Sequence, residues 1–138
     1  MKDIFCKIID GDIPSTRVYE DDDVLAILDI SQTTRGHTLV MPKKHYESLL
    51  DCPKETLTKV MLIAQRIGQA EVSILGAKGV NILANCGEAA GQTVMHFHVH
   101  VIPRYIGGEG GFRLEMASQD TSKMNLPVLA KEIGDAMK

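Results

Sequence analysis

The sequence predicts a single α+β domain spanning residues 1–138. Strand-like segments come in antiparallel-looking pairs. Helical stripes lie before, between and after them, without the strand–helix alternation of a parallel sheet. The 138 residues, 44% of them hydrophobic, suffice for one real core. No internal repeat, low-complexity tract or linker divides the chain.

In chain order, Ile4, Phe5, Ile8 and Ile9 recur at helical spacing and Gly11 follows as a stop, which predicts a short first helix. Pro14-Ser15 breaks the chain. Residues 17–20 (RVYE) are strand-like, and Asp21-Asp22-Asp23 make a solvated hairpin turn. Residues 24–30 (VLAILDI) form a nearly continuous apolar run, expected as a buried strand. After a loop over 31–36, residues 37–41 (HTLVM) form another strand, ended by Pro42. A long helix follows, with Pro53 at its first position and Leu57, Val60, Met61, Ala64 and Ile67 as its packing stripe, running to about Val72. Gly76 and Gly79 end that region. Residues 80–84 (VNILA) and 93–102 are expected as strands joined in a hairpin by the loop NCGEAAGQ. Glycines at 107–111 read as a flexible connection. Pro127 opens a last helix carrying Val128, Leu129, Ile133 and Met137.

The bulk numbers exclude several classes. The net charge is −3, with no basic stripe for nucleic acid. Three cysteines, Cys6, Cys52 and Cys86, are odd in number and far apart, which fits a reducing cytosol better than a disulfide framework. The N-terminus reaches acidic residues too soon for a signal peptide, and no apolar run approaches the roughly 20 residues of a membrane span. A small cytoplasmic protein without membrane or nucleic-acid partners is expected.

Three of the five histidines stand at alternate positions in MHFHVHVIPRY: His96, His98 and His100. In a strand they share one face, while Phe97, Val99 and Val101 take the other, toward a core. Such a cluster can be a metal cage, a phosphate-handling site or a buried polar wall. A polar wall alone costs more desolvation than apolar residues would, and three strand histidines can make an open zinc site. The preceding loop favours phosphate: Gly87 and Gly91 let backbone approach a ligand, its N–H groups can form an anion nest, and Asn85, Gln92 and Thr93 can donate hydrogen bonds.

The run HFHVHVI resembles the His-x-His-x-His-x-x pattern of the histidine triad (HIT) superfamily of nucleotide hydrolases and transferases. IFCKIIDGDIPS, VLAILDISQTTRGHTLVMPKKH and NCGEAAGQTVMHFHVHVIPRY are similar to its Hint-type branch. The similarity covers about residues 4–105, and the tail at 106–138 is less diagnostic. The resemblance implies an antiparallel sheet of about five strands with two main helices, and a homodimer with a sheet continuous across it. It implies cleavage at the α-phosphorus of a purine nucleoside phosphoramidate or related nucleotide, through a nucleotidyl-histidine intermediate and with release of a nucleoside monophosphate. A dinucleoside polyphosphate hydrolase, or a nucleotide- or partner-binding module with incidental hydrolysis, stands as the alternative. By position, His98 is the nucleophile and His100 contacts the α-phosphate or the leaving group. His96 and His37 order the triad. Asp29 accepts from the ribose hydroxyls and Ile30 lines the base pocket, with Phe5, Ile8 and Leu28 beside it. Asn85, Gln92 and Thr93 contact phosphate and leaving group.

Catalysis of this kind requires no cofactor. Many bacterial members carry a Cys-x-x-Cys that holds structural zinc with two histidines. Here Asp3 replaces the first cysteine, and Asp3, Cys6, His45 and His96 form the candidate set. Carboxylate in place of thiolate weakens such a site. The chain also lacks the tryptophan that some relatives place near the leaving group.

Overall fold

The computed structural model describes residues 2–107 and 110–138. Eight elements follow one another: α1 (Ile4–Ile9), β1 (Arg17–Glu20), β2 (Val24–Leu28), β3 (Thr38–Pro42), α2 (Lys54–Leu75), β4 (Gly79–Leu83), β5 (Val99–Arg104) and α3 (Leu126–Ala136). Two 3-10 turns, Leu49–Asp51 and Glu88–Ala90, interrupt the connections. The strands form one sheet in the order β1-β2-β3-β5-β4, and every neighbouring pair is antiparallel.

Side-chain alternation divides the core between the two faces of this sheet. Val24 and Ala26 of β2, Val40 of β3 and Val99 and Val101 of β5 pack with Phe97 against Val60, Ile63, Ala64 and Ile67 of α2. Leu25, Ile27, Leu39 and Met41 pack on the other face against Phe5 and Ile8 of α1. A strand buried on both faces reads as an unbroken apolar run, which is why VLAILDI shows no polar alternation.

The predicted boundaries shift in several places. Pro53 is the N-cap of α2 rather than its first helical residue, and the helix runs on to Leu75 before Gly76 ends it in the left-handed region at φ 75°. The strand beginning at residue 24 stops at Leu28, and β3 begins at Thr38. The expected strand over 93–102 begins only at Val99, because β3 pairs no further back than Val40 with Val99. Upstream, the chain bends over residues 94–96, and the Phe97 N–H instead donates to Tyr46 O across 2.7 Å, outside any ladder. Finally, β4 and β5 pair directly, but residues 84–98 between them are far longer than a hairpin turn. Positions 108 and 109 of the glycine connection lie outside the described residues.

Every residue from 113 to 138 is exposed. The apolar residues Leu126, Val128, Leu129, Ile133 and Met137 of α3 share that exposure. Among the described residues no helix is long and apolar enough to cross a membrane.

Candidate active site

Between α1 and the sheet face it covers lies a cleft of about 810 Å³. Its walls are mostly apolar and include Ile4, Phe5, Ile8, Ile13, Ile27, Leu28 and Leu39. Asp29, Thr93, His98 and His100 stand among its polar lining. Apolar walls with a few convergent polar groups are the usual make-up of a small-molecule site.

The alternation predicted for the triad holds although only His100 lies in a strand. Phe97, Val99 and Val101 enter the core on the α2 side, which turns the three imidazoles to the α1 side. Phe5 meets His98 edge-on at 4.9 Å between ring centroids, and His98 lies 5.0 Å from His100.

Backbone groups fix the tautomers. A carbonyl only accepts and an N–H only donates. His98 Nδ1 is 2.7 Å from His96 O, so it carries the proton and leaves a lone pair on Nε2. The Thr33 N–H donates to His37 Nδ1 across 3.4 Å, which puts the His37 proton on Nε2. That nitrogen is 2.9 Å from His100 Nδ1, and the neutral His100 therefore keeps its own proton on Nε2. One ring of the pair offers a bare nitrogen and the other an N–H. Burial holds His98 and His37 below the ordinary histidine value. Burial, with the neighbouring His98 and His37, brings His100 down to about 4. All three are neutral at pH 7.

Asp29 follows β2 where the backbone turns. Its N–H donates to His37 O at 3.0 Å, and its Oδ1 accepts from the Ser31 N–H at 2.8 Å. Oδ2 lies 3.8 Å from His37 Nε2. Ile30 is fully exposed at the rim of the cleft. Gln92 is buried, but its amide is committed to protein: Nε2 donates to Glu47 O at 2.6 Å and Val94 O at 3.0 Å, and Oε1 accepts from the Gly87 N–H at 2.8 Å. Asn85 Nδ2 donates to Gly91 O at 3.4 Å. Neither Asn85 nor Gln92 lines the cleft, whereas Thr93 does.

Sequence reasoning missed Gln32, whose Nε2 donates to Asp29 O and His37 O at 2.7 and 2.8 Å and so ties together both sides of the loop. It also missed Ser15 and Thr16 in the cleft wall. Their signal was two hydroxyls directly after the Pro14 break. The Thr33 N–H that sets the His37 tautomer is backbone and leaves no mark on the residue type.

A second cluster lies on the far side of His96. Its Nε2 is 2.8 Å from Pro42 O and so donates there, which frees Nδ1. That Nδ1 lies 3.3 Å from Asp3 Oδ2 and 3.6 Å from Cys6 Sγ. Asp3 Oδ2 is also 3.5 Å from Cys6 Sγ and 3.0 Å from His45 Nδ1, and Cys6 Sγ is 3.9 Å from His45 Nδ1. Ligands of a tetrahedral zinc ion stand roughly 3.3–3.8 Å apart, given Zn–N and Zn–S bonds of about 2.0–2.3 Å. The five separations scatter about that range, so the donor set fits zinc. Asp29, His37 and His100 also group together, but there the His37–His100 approach of 2.9 Å is a hydrogen-bond distance set by the tautomers.

The comparisons with known proteins agree with this geometry. The HIT domain family matches residues 10–107. The protein hit of Bacillus subtilis is 51% identical over 107 residues, which is 78% of this chain and 74% of that protein. The adenylylsulfatase HINT3 of Arabidopsis thaliana is 42% identical over 101 residues, 73% of this chain and 51% of that protein. The crystal structure of a HIT family protein from Bacillus anthracis superposes with a TM-score of 0.90 at 44% identity, covering 98% of this chain and 96% of that one. A zinc-bound histidine triad family protein from Mycobacterium smegmatis gives a TM-score of 0.74 at 43% identity, covering 96% of both chains. With the alternating histidines, the five-stranded antiparallel sheet and these matches together, the chain belongs to the histidine triad (HIT) family.

Proposed function

We propose that the protein is a nucleotidyl hydrolase that cuts at the α-phosphorus of a purine nucleoside phosphoramidate or a related nucleotide. The observation that carries this reading is the pair of assigned tautomers: a bare Nε2 on His98 beside an Nε2–H on His100, in one cleft. A neutral imidazole is a competent nucleophile at pH 7. His98 Nε2 forms a bond to phosphorus as the bond to the leaving group breaks. The leaving group takes the bonding electrons and a proton from solvent, which is returned when the attacking water gives up a proton in the second step. His100 donates its N–H to a phosphoryl oxygen, where charge builds up, and His37 holds His100 in the donating tautomer. Water then attacks the phosphorus of the nucleotidyl-histidine, its O–P bond replaces N–P, and a nucleoside monophosphate departs. Asp29 accepts from the ribose hydroxyls, and Phe5, Ile8, Leu28 and Ile30 surround the base. Thr93 donates to the phosphate or leaving group, with Gln92 and Asn85 holding its loop.

Asp3, Cys6, His45 and His96 would hold zinc, which ties chain segments together and supplies none of the chemistry above. The protein acts in the cytoplasm as a homodimer. The unpaired edge of β4 extends the sheet across it, and the groove formed by Gly68, Val72, Val80 and Ile82 supports that contact.

The test incubates the protein with adenosine 5′-phosphoramidate, follows AMP release, and takes a mass spectrum of protein quenched during turnover. An adenylyl group on the peptide carrying His98 is the expected result. Undiminished turnover by His98→Ala overturns the mechanism. Diadenosine polyphosphates and adenylyl sulfate, the latter suggested by the name of the Arabidopsis relative, are compared in the same assay. The binding-module reading predicts AMP binding with negligible turnover of all three.

A further inference from the structure

α1 has six residues, too few to hold a helix by local hydrogen bonding alone. Those residues nonetheless serve two sites. Ile4, Phe5 and Ile8 form part of the cleft wall, and the Phe5 ring touches His98. Cys6 and the capping residue Asp3 belong to the Asp3–Cys6–His45–His96 cluster.

Asp3 divides its two oxygens between these tasks. Oδ1 accepts the Cys6 N–H at 2.7 Å and caps the helix, an interaction worth about 1 kcal/mol. Oδ2 faces Cys6, His45 and His96 at 3.5, 3.0 and 3.3 Å. A carboxylate has acceptor capacity for both at once. His45 follows β3 and His96 precedes β5, so an ion held by the four side chains ties the start of α1 to the sheet. His96 sits between the sites: its Nδ1 faces the cluster while its backbone oxygen holds the His98 ring.

We propose that this cluster is a metal latch for the cleft, in which zinc at Asp3, Cys6, His45 and His96 and a nucleoside monophosphate against α1 strengthen each other's binding. The proposal rests on the nucleotide reading above. Zinc reduces the freedom of α1, so the nucleotide meets a wall already in place. By linkage the nucleotide raises zinc affinity by the same factor.

The experiment compares protein stripped by a chelator with protein reloaded with zinc, the metal content of each being measured. AMP is titrated calorimetrically into both. Adenosine, which has no phosphate to chelate zinc, repeats the series. Zinc affinity is measured by chelator competition with and without saturating AMP. Hydrogen exchange follows the amides of residues 5–9.

The expected result is AMP and adenosine binding about fivefold or more tighter in the zinc form, an equal gain in zinc affinity with AMP, and slower exchange in α1. Asp3→Asn keeps the capping oxygen but removes the anionic ligand, and is expected to bind zinc more weakly and shrink the difference. Protein that takes up no zinc overturns the latch. So do AMP affinities that agree within about twofold in both forms. If neither form binds AMP, the nucleotide reading fails on its own, and exchange in α1 still decides whether zinc latches the helix. Equal exchange in both forms overturns it.

Discussion

At His98 the two ring nitrogens have opposite tasks, and a backbone oxygen assigns them. The His96 carbonyl accepts the hydrogen bond of the Nδ1–H, which leaves a bare lone pair on Nε2, the atom proposed as the nucleophile. Replacing His98 by Ala is expected to lower kcat/KM for adenosine phosphoramidate by about 10⁴-fold or more, measured by AMP release, with nucleotide affinity largely kept. The depressed values of His98 and His100 set the pH profile. Protonation removes the lone pair of His98, and burial holds that protonation below the ordinary 6.5. The acid limb of the kcat/KM profile should therefore have its midpoint below pH 6.5. Stability follows the same direction. The unfolded chain takes up protons on His37, His98 and His100 at a higher pH than the folded one. Their contribution is fully present above the unfolded value and is lost as pH falls below it, which urea melts at pH 7.5, 6 and 5 would follow.

At the scale of elements, the loop between β2 and β3 matters most, because it carries Asp29, Gln32 and His37 and is backed by α2. Gly36 sits there at φ 103°, where a Cβ would come within 2.6 Å of Glu71 Oε2 and 2.9 Å of Leu75 Cδ1. Gly36→Ala combines backbone strain with overpacking and should cost about 2–4 kcal/mol, measured by urea denaturation. It should also reduce turnover, since His37 is the next residue. Glu71 is buried beneath this loop with Oε1 unpartnered, and burial raises its carboxyl from 4.5 to about 7. A raised acid favours the fold below its unfolded value, and that advantage is lost as pH rises through the folded one. Glu71→Gln should thus raise Tm by about 2–4 °C at pH 8 and leave it nearly unchanged at pH 5.

For the whole molecule, the sheet ends at β4, and among the described residues no further strand pairs with that edge. Val72 of α2 and Ile82 of β4 are about half exposed beside it. If that face pairs two copies, sedimentation gives about twice the 15.1 kDa of one chain. Ile82→Asp, which buries a charge at such a contact, should shift the protein toward monomer. A monomeric parent protein at micromolar concentration overturns the pairing. Among the described residues, the exposed apolar residues of α3 line neither the cleft nor the groove beside β4.

Much of this protein was legible in its residues. The alternation in HFHVHV determined which face the imidazoles share, because side chains alternate in any extended backbone, whether or not a ladder forms. The unbroken run VLAIL marked a strand buried on both sides; the triad stood out by type and spacing, whereas Asp29 and His37 carry a signal only through the family resemblance. The four-residue cluster was named through the same resemblance, and the fold brings the ligand atoms of Asp3, Cys6, His45 and His96 close together. Other features had no signal at the level of residue type. Gln92 offers the same amide to a phosphate or to its own loop, and only the fold brings Glu47 O, Val94 O and the Gly87 N–H around it. The start of β5 depends on where β3 ceases to pair, a property of two distant segments. The tautomers of His98, His37 and His100 hang on a carbonyl, an amide and a neighbouring ring. Residue types and their period thus determined which groups are present and which face they take. Tertiary structure decided which nitrogen is free, because that depends on partners the chain delivers from far along its length.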